Sequence, residues 1–139
     1  MNDYQKTLEQ TLANFECTTG TVHLLDEKTG LLTLVAHAGL PPHLLPIVQS
    51  IPIGKGIAGC AAEKRAPVQL CNLQTDTSGV AKPGAKDTRV QGSLAVPMMD
   101  ENGVLRGVLG IGKREPYEFL KDEQKLLMKI ANKLAKNRD

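Results

Sequence analysis

Residues 93–135 read SLAVPMMDENGVLRGVLGIGKREPYEFLKDEQKLLMKIANKLA, and this stretch decides the fold. It contains an apolar strand, a polar turn that ends at Asn102 and Gly103, a second apolar strand and a helix with an apolar stripe. An Asn-Gly pair between two apolar runs is a strong signal for a β-hairpin. The order therefore predicts a sheet with a terminal helix packed across it. The stretch contains no catalytic constellation, so it indicates scaffold rather than chemistry.

The terminal helix is predicted to be amphipathic. At about 100° per residue, its apolar residues fall on one side: Leu126, Leu127, Ile130, Ala131 and Leu134. Five lysines fall on the other side: Lys121, Lys125, Lys129, Lys133 and Lys136. A basic stripe can bind an acidic partner, but the net charge of the chain is only +2. We therefore interpret the lysines as a solvated helix face.

Length and composition indicate a single cytoplasmic domain. A chain of 139 residues is long enough to bury a core without disulfides or a metal. The three cysteines are odd in number and widely spaced, as is typical of reduced thiols. No apolar run approaches the roughly 20 residues that span a bilayer, and the polar N-terminus is not a signal peptide. The small net charge gives no argument for nucleic acid or an anionic membrane.

The rest of the chain predicts an α+β fold. An apolar stripe predicts a helix over residues 1–16, and residues 21–26 and 31–37 are strand-like on either side of a turn that ends at Gly30. Next come an edge-like segment, a helix of small residues, a strand and a long polar loop, at residues 51–53, 57–65, 67–72 and 73–92. We expect one antiparallel sheet of five or six strands. The terminal helices should cover one face, and the short helices with the loop should cover the other.

Taken in order, four segments resemble a GAF domain: GTVHLLDEKTGLLTLVAHAGLP, IPIGKGIAGCAAEKRAPVQLCNL, SLAVPMMDENGVLRGVLGIGKRE and FLKDEQKLLMKIANKLA. They cover nearly all of residues 20–135 and leave 136–139 as a tail. PAS domains have a similar architecture, but GKGIAG followed by PVQL favours GAF. The resemblance implies a GAF/PAS-like six-stranded antiparallel sheet with a ligand cavity, where one exists, on the face opposite the terminal helices. Family membership leaves the ligand open.

The resemblance also implies a structural latch. Lys113, Phe119 and Asp122 occupy places similar to the signature of cyclic-nucleotide GAF domains, although Gly112 stands where that signature has Asn. We expect a Lys113–Asp122 ion pair that ties the last strand to the last helix, with no nucleotide role. Covalent bilin attachment is disfavoured, because no Cys-His pair occurs.

Haem and iron are also disfavoured, so no cofactor or metal is expected. Haem needs a histidine in the pocket, and we expect His23, His37 and His43 to be half-exposed residues of strands or loops. Iron would need clustered ligands. Asp76, Asp87, Cys71 and His37 could converge, but nothing in their spacing requires it.

One enzymatic alternative within the family is the free methionine-R-sulfoxide reductases. That chemistry needs a thiolate that attacks the sulfoxide sulfur and a second cysteine that resolves the product. Cys60 and Cys71 are available, but the family's GHIAC string is absent, and the corresponding RVQGSLA at residues 89–95 has no cysteine. We therefore interpret both cysteines as small buried apolar residues and expect no catalytic residues.

The polar loop at residues 73–92 is the candidate ligand-binding segment. Loops of this length in compact domains are usually functional or disordered. A mobile lid over a small ligand and a solvated excursion are both consistent with its composition. Arg89 could pair with a carboxylate or phosphate, and Ser93 should lie near the mouth of the cavity. The candidate binding residues are Cys71, Asp76, Thr77, Ser78, Lys86, Asp87, Arg89 and Ser93.

The leading hypothesis is a non-enzymatic sensory or regulatory domain that acts in signal transduction. It would bind an unidentified small molecule beneath the loop and form a homodimer through its terminal helices. A sensor kinase or transcription regulator could supply the output. The alternatives are a ligand-free dimerisation module and, less favoured, the thiol enzyme.

Overall fold

The computed structural model of the chain describes residues 3–70 and 91–136. Within these ranges the four α-helices are α1 (Asp3–Phe15), α2 (Leu45–Val48), α3 (Gly56–Lys64) and α4 (Lys121–Lys136), with a 3-10 turn at Pro42–Leu44 before α2. The six strands of the same ranges are β1 (Thr19–Asp26), β2 (Leu31–Ala38), β3 (Ser50–Pro52), β4 (Val68–Leu70), β5 (Gly92–Met99) and β6 (Leu105–Lys113). None of the helices in these ranges is long and apolar enough to cross a membrane.

The described strands form one antiparallel sheet in the order β3-β2-β1-β6-β5-β4. The predicted hairpin is β5–β6, and its turn places Gly103 at a φ of 75°, which glycine adopts without steric cost. Asp100 stabilises the turn, because its Oδ1 accepts the N–H groups of Asn102 and Val104. The α+β class and the single antiparallel sheet are therefore confirmed.

The two faces of the sheet are covered by different helices, as predicted, whereas most of the loop at residues 73–92, which was expected to cover one face as well, lies outside the described residues. On one face α1 and α4 pack against large side chains of the central strands, and the buried set includes Val22, Leu94, Val96, Leu109 and Ile111. On the other face α3 packs through Ala61 and Ala62 against Ala95 and Val108. Alternation along each strand sends neighbouring residues to opposite faces, so the apolar strands supply both cores.

The lysine stripe of α4 is confirmed and the apolar stripe is confirmed in part. All five predicted lysines are exposed, while Leu127, Ala131 and Leu134 are buried and Ile130 is half-buried. The prediction for Leu126 is wrong, since 51% of its surface is exposed. The helix rests on the sheet along a narrow line through Leu127, Ala131 and Leu134, and Leu126 falls just outside it.

Candidate functional site

A cavity of about 380 Å³ lies on the α3 side of the sheet. This volume is within the range typical of small-molecule sites. The sheet forms its floor, and the segment from Leu40 to Ala58 forms its roof. The cavity lies on the face opposite the terminal helices.

The floor is open because the central strands place small residues on this face. Gly110 and Gly112 of β6 stand beside Ser93 and Ala95 of β5. On the other side of β6, Thr21 of β1 pairs with Gly110. A Cβ atom built on Gly110 would lie 3.2 Å from Thr21 Oγ1, so even one added carbon would tighten the floor. Missing side-chain volume, rather than a gap between elements, creates the cavity floor.

The roof is built from short elements. The 3-10 turn, the four-residue α2 and the three-residue β3 follow one another, and β3 pairs only with the edge of β2. Leu44 is buried and anchors the segment, but Ile47 remains 58% exposed although it lines the cavity. Short elements with few buried side chains open more readily than long ones. The roof is therefore the part of the cavity wall with the weakest packing.

His23 joins the floor to the roof. Its Nε2 donates a hydrogen bond to the backbone carbonyl of Val48 at 2.8 Å, and only 1% of the residue is exposed. Its Nδ1 has no hydrogen-bond partner among the described residues. Burial lowers the pKa of His23 below its ordinary value of 6.5, because the charged ring is poorly solvated there. The prediction that His23 is half-exposed is therefore wrong, since α2 covers it.

The positive charge at the cavity lies at the start of α3. Lys55 is the one charged residue among the described residues that line the cavity. It is also the N-cap of α3, and its side chain makes no capping hydrogen bond. The residues that follow it, Gly56, Ile57 and Ala58, also line the cavity. Because the N-terminus of a helix carries partial positive charge, this end of the cavity suits a neutral or anionic group.

The predicted binding residues have different outcomes. Ser93, which was expected near the mouth of the cavity, lines the cavity floor. The other seven candidates lie outside the described residues: Cys71, Asp76, Thr77, Ser78, Lys86, Asp87 and Arg89. Their role stays a prediction.

The predicted Lys113–Asp122 ion pair is not formed. Lys113 Nζ instead donates to the carbonyls of Phe15 and Glu16, at 2.8 and 3.3 Å. It also lies 4.5 Å from the centre of the Tyr117 ring. The last carbonyls of a helix lack intrahelical partners and carry partial negative charge, so the end of α1 attracts the ammonium group. Lys113 thus ties β6 to α1, and Asp122 stays exposed in the first turn of α4.

Phe119 connects a strand to the segment before α4. It is 1% exposed, its N–H donates to Gln69 Oε1 at 2.8 Å, and its carbonyl accepts from Gln69 Nε2 at 3.2 Å. Both backbone groups are thereby satisfied by one side chain of β4. These bonds join β4 to the segment before α4, and the role of Phe119 in a latch stays a prediction.

Neither described cysteine lines the cavity. Cys17 packs against the core beneath α1 and α4, and burial raises its pKa to about 11. A thiol with a raised pKa is a poor nucleophile at neutral pH. Cys60 lies on α3 with Sγ 3.9 Å from the Gly54 carbonyl. Within residues 3–70 and 91–136, no group of three or more His, Cys, Asp or Glu is placed to hold a metal ion.

Sequence reasoning missed most of the cavity lining. The sequence does contain a sign of the cavity floor, because small residues occupy alternate positions of two strands. Gly110 and Gly112 of β6 pair with Ala95 and Ser93 of β5. Small residues at alternate positions of adjacent central strands indicate a face that is not filled. His23 carried no such signal, because its partner Val48 is 25 residues away.

The comparisons identify the family. The sequence model described as "GAF domain" matches residues 4–137, so the chain belongs to the GAF domain family. No curated protein matches the sequence.

Several solved structures have the same fold. The GAF domain of a phosphoenolpyruvate-protein phosphotransferase from Coxiella burnetii superposes with a TM-score of 0.80 at 20% identity, over 95% of this chain and 77% of that chain. A domain assigned to a two-component sensor histidine kinase of Sinorhizobium meliloti 1021 has a TM-score of 0.73 at 20% identity, over 95% and 86%. Free methionine-R-sulfoxide reductase from Neisseria meningitidis has 0.77 at 20% identity, over 95% and 73%. Regulatory domains and an enzyme therefore share this fold.

Proposed function

We propose that this chain is a non-enzymatic sensory or regulatory GAF domain that binds a small molecule in the cavity between the sheet and α2–α3. The observation that carries the proposal is the cavity itself. Its floor is made of small residues over two central strands, and its wall contains a buried histidine whose Nδ1 has no hydrogen-bond partner within residues 3–70 and 91–136. Larger apolar residues that fill a cavity commonly stabilise a fold, and the sequence keeps small residues at this floor.

The mechanism we propose is a shift in the population of terminal-helix arrangements. His23 and Val22 are neighbours on β1, with His23 in the cavity wall and Val22 in the core beneath α1 and α4. A change at the roof can therefore reach the terminal helices through one strand. We further propose that the chain acts in the cytoplasm, as its free thiols Cys17 and Cys60 suggest. A kinase, phosphotransferase or transcription regulator would supply the output.

A thermal-shift screen of metabolites, with a blocked-cavity variant, tests the proposal. A ligand that binds only the folded chain raises its melting temperature. We expect such a ligand to stabilise the unmodified chain and to leave Gly110→Val unaffected, because the added side chain enters the cavity floor. Ala13→Val, at an exposed position of α1, is the control and should respond as the unmodified chain does. If no compound stabilises the unmodified chain, the ligand-free dimerisation module is favoured.

The thiol enzyme is the second candidate, since free methionine-R-sulfoxide reductases are among the similar structures. We expect the purified chain to show no reduction of free methionine-R-sulfoxide in the presence of a thiol reductant. Measurable turnover that is lost in both Cys60→Ser and Cys71→Ser, and retained in Cys17→Ser, would overturn the non-enzymatic assignment.

A further inference from the structure

We propose that His23 Nδ1 is the hydrogen-bond acceptor for the ligand of this cavity. The ligand is then a small, largely apolar molecule that carries an O–H or N–H donor and no positive charge. This inference rests on the proposed function and narrows it to a chemical class.

The hydrogen bonding of the ring fixes which nitrogen is available. The carbonyl of Val48 can only accept, so Nε2 at 2.8 Å carries the hydrogen. In the neutral ring, Nδ1 is then a lone-pair acceptor, and it has no donor among the described residues. Buried acceptors are nearly always paired in folded proteins. A ligand that brings a donor removes this defect, whereas one without a donor leaves it in place.

The position of Nδ1 links binding to the roof. The atom has almost no accessible surface, so a donor reaches it only after a small movement of the ring or of the atoms that cover it. The same ring holds α2 through Val48. Because the roof is weakly packed, contact with a ligand at Nδ1 changes the position of the roof relative to the sheet.

The rest of the lining defines the remainder of the ligand. Most of the described lining residues are apolar, and they include Leu40, Ile47, Ile51, Pro52 and Ile57. The described lining contains Lys55 and no carboxylate. A cation would therefore be desolvated there without a counter-charge, at large cost. An apolar body with an uncharged donor fits these walls.

The test compares indole with 1-methylindole. The two molecules share a ring system, and methylation removes only the N–H donor. Affinities are measured by NMR titration of the isotope-labelled chain, and the imidazole nitrogens of His23 are followed in the same samples. We expect indole to bind about ten-fold more tightly, which is the usual value of one hydrogen bond to a buried group. The Nδ1 resonance should move upfield with indole and should not move with 1-methylindole.

Two variants separate the donor effect from shape. His23→Phe keeps a flat ring but removes the acceptor, so it should bind both compounds alike. Ala13→Val, at an exposed position of α1 outside the cavity, should keep the preference for indole. The nitrogen shift in the unmodified chain decides the matter even if His23→Phe fails to fold.

The outcomes distinguish this inference from the proposed function. If both compounds bind equally and Nδ1 does not respond, His23 is not the acceptor, while the cavity is still a binding site. If neither compound shifts any resonance of the cavity lining, the proposed function fails and this inference fails with it.

Discussion

His23 combines two properties that are rarely found together in one buried side chain. It supports the roof through a hydrogen bond to Val48, and its acceptor nitrogen has no partner in the part of the chain that the structure describes. Charging the ring in this position would place a cation among apolar groups. The structure therefore requires the neutral form, and this requirement has a measurable consequence for the stability of the fold.

We predict that the chain loses stability as the pH falls below about 6.5, the pKa of a histidine in the unfolded chain. Burial lowers the pKa of His23 in the folded chain. On acidification the unfolded chain therefore takes up this proton first, and the free energy of unfolding decreases until the pH reaches the lowered pKa. Urea unfolding at pH 7.5 and at pH 5.5 measures the change.

The control for this prediction is a second histidine variant. His23→Gln should flatten the dependence of unfolding on pH in this window, whatever its effect on stability at neutral pH. His43→Gln, at an exposed position, should keep the dependence of the unmodified chain. An unchanged pH dependence in His23→Gln would show that the ring does not stay neutral in the folded chain.

Two glycines of β6 should respond very differently to alanine. A Cβ on Gly107 would lie 2.1 Å from the backbone oxygen of His23, which cannot move without breaking the sheet. A Cβ on Gly110 meets the Thr21 hydroxyl at 3.2 Å, and that side chain can rotate. We expect Gly107→Ala to lower the free energy of unfolding by about 1–3 kcal/mol or more and Gly110→Ala to change it far less. Equal losses in urea unfolding would contradict this account.

At the scale of elements, Lys113 decides how the sheet holds α1. Glu16, the residue directly after α1, has a φ of 55°. The Cys17 N–H donates a hydrogen bond to the Leu12 carbonyl at 2.9 Å. The Phe15 and Glu16 carbonyls then accept hydrogen bonds from the Lys113 ammonium group. Lys113 as a whole residue is only 8% exposed. One charged side chain of β6 thus completes the C-terminus of a helix nearly one hundred residues earlier.

We predict that Lys113→Met lowers the free energy of unfolding by about 1.5–3 kcal/mol, the usual range for hydrogen bonds of charged groups. Methionine preserves most of the buried stem, so the loss reports the ammonium group. Urea unfolding of the variant against the unmodified chain measures it. Lys129→Met, at an exposed position of α4, is the matched control and should stay within about 0.5 kcal/mol.

Asp122→Asn tests the ion pair that the sequence suggested. Asp122 is exposed and makes no contact with Lys113. We therefore expect the variant to lower the free energy of unfolding by at most about 1 kcal/mol, through the lost interaction with the helix dipole. If Asp122→Asn lowers the free energy of unfolding as much as Lys113→Met does, Lys113 and Asp122 form an ion pair after all, and that result would contradict the structure.

Local patterns predicted the elements well and the contacts between distant elements poorly. The β5–β6 hairpin followed from Asn102-Gly103 between apolar runs, and the five exposed lysines followed from helical spacing. Lys113, His23 and Leu126 were misplaced because their surroundings depend on elements far away in the chain. The cavity was expected on the face of the sheet where it lies. Its floor, however, depends on which small residues of three strands become neighbours. The register of strand pairing decides this, and the sequence does not show that register directly.

At the scale of the molecule, α1 and α4 lie on one face and the cavity lies on the other. We propose that the chain forms a homodimer through the terminal helices, as the family resemblance implies. Two leucines support this proposal. Leu126 on α4 is 51% exposed, and Leu120 just before the helix is 64% exposed. Contiguous exposed apolar patches mark interaction sites, and the proposed dimer places both leucines in such a patch.

We predict that the purified chain sediments with the mass of two chains and that Leu126→Glu shifts it towards one chain. Glutamate at this position would place a charge in an apolar interface, and desolvation of that charge opposes association. Because Leu126 is not part of the core, the variant should keep the unfolding midpoint that the unmodified chain has at concentrations low enough for it to be monomeric. Ile53→Glu is the control, since Ile53 is 38% exposed and directly follows β3, the edge strand of the sheet. It should remain dimeric. A single-chain mass for the unmodified protein at all concentrations would refute the dimer, and a dimeric Leu126→Glu would move the interface elsewhere.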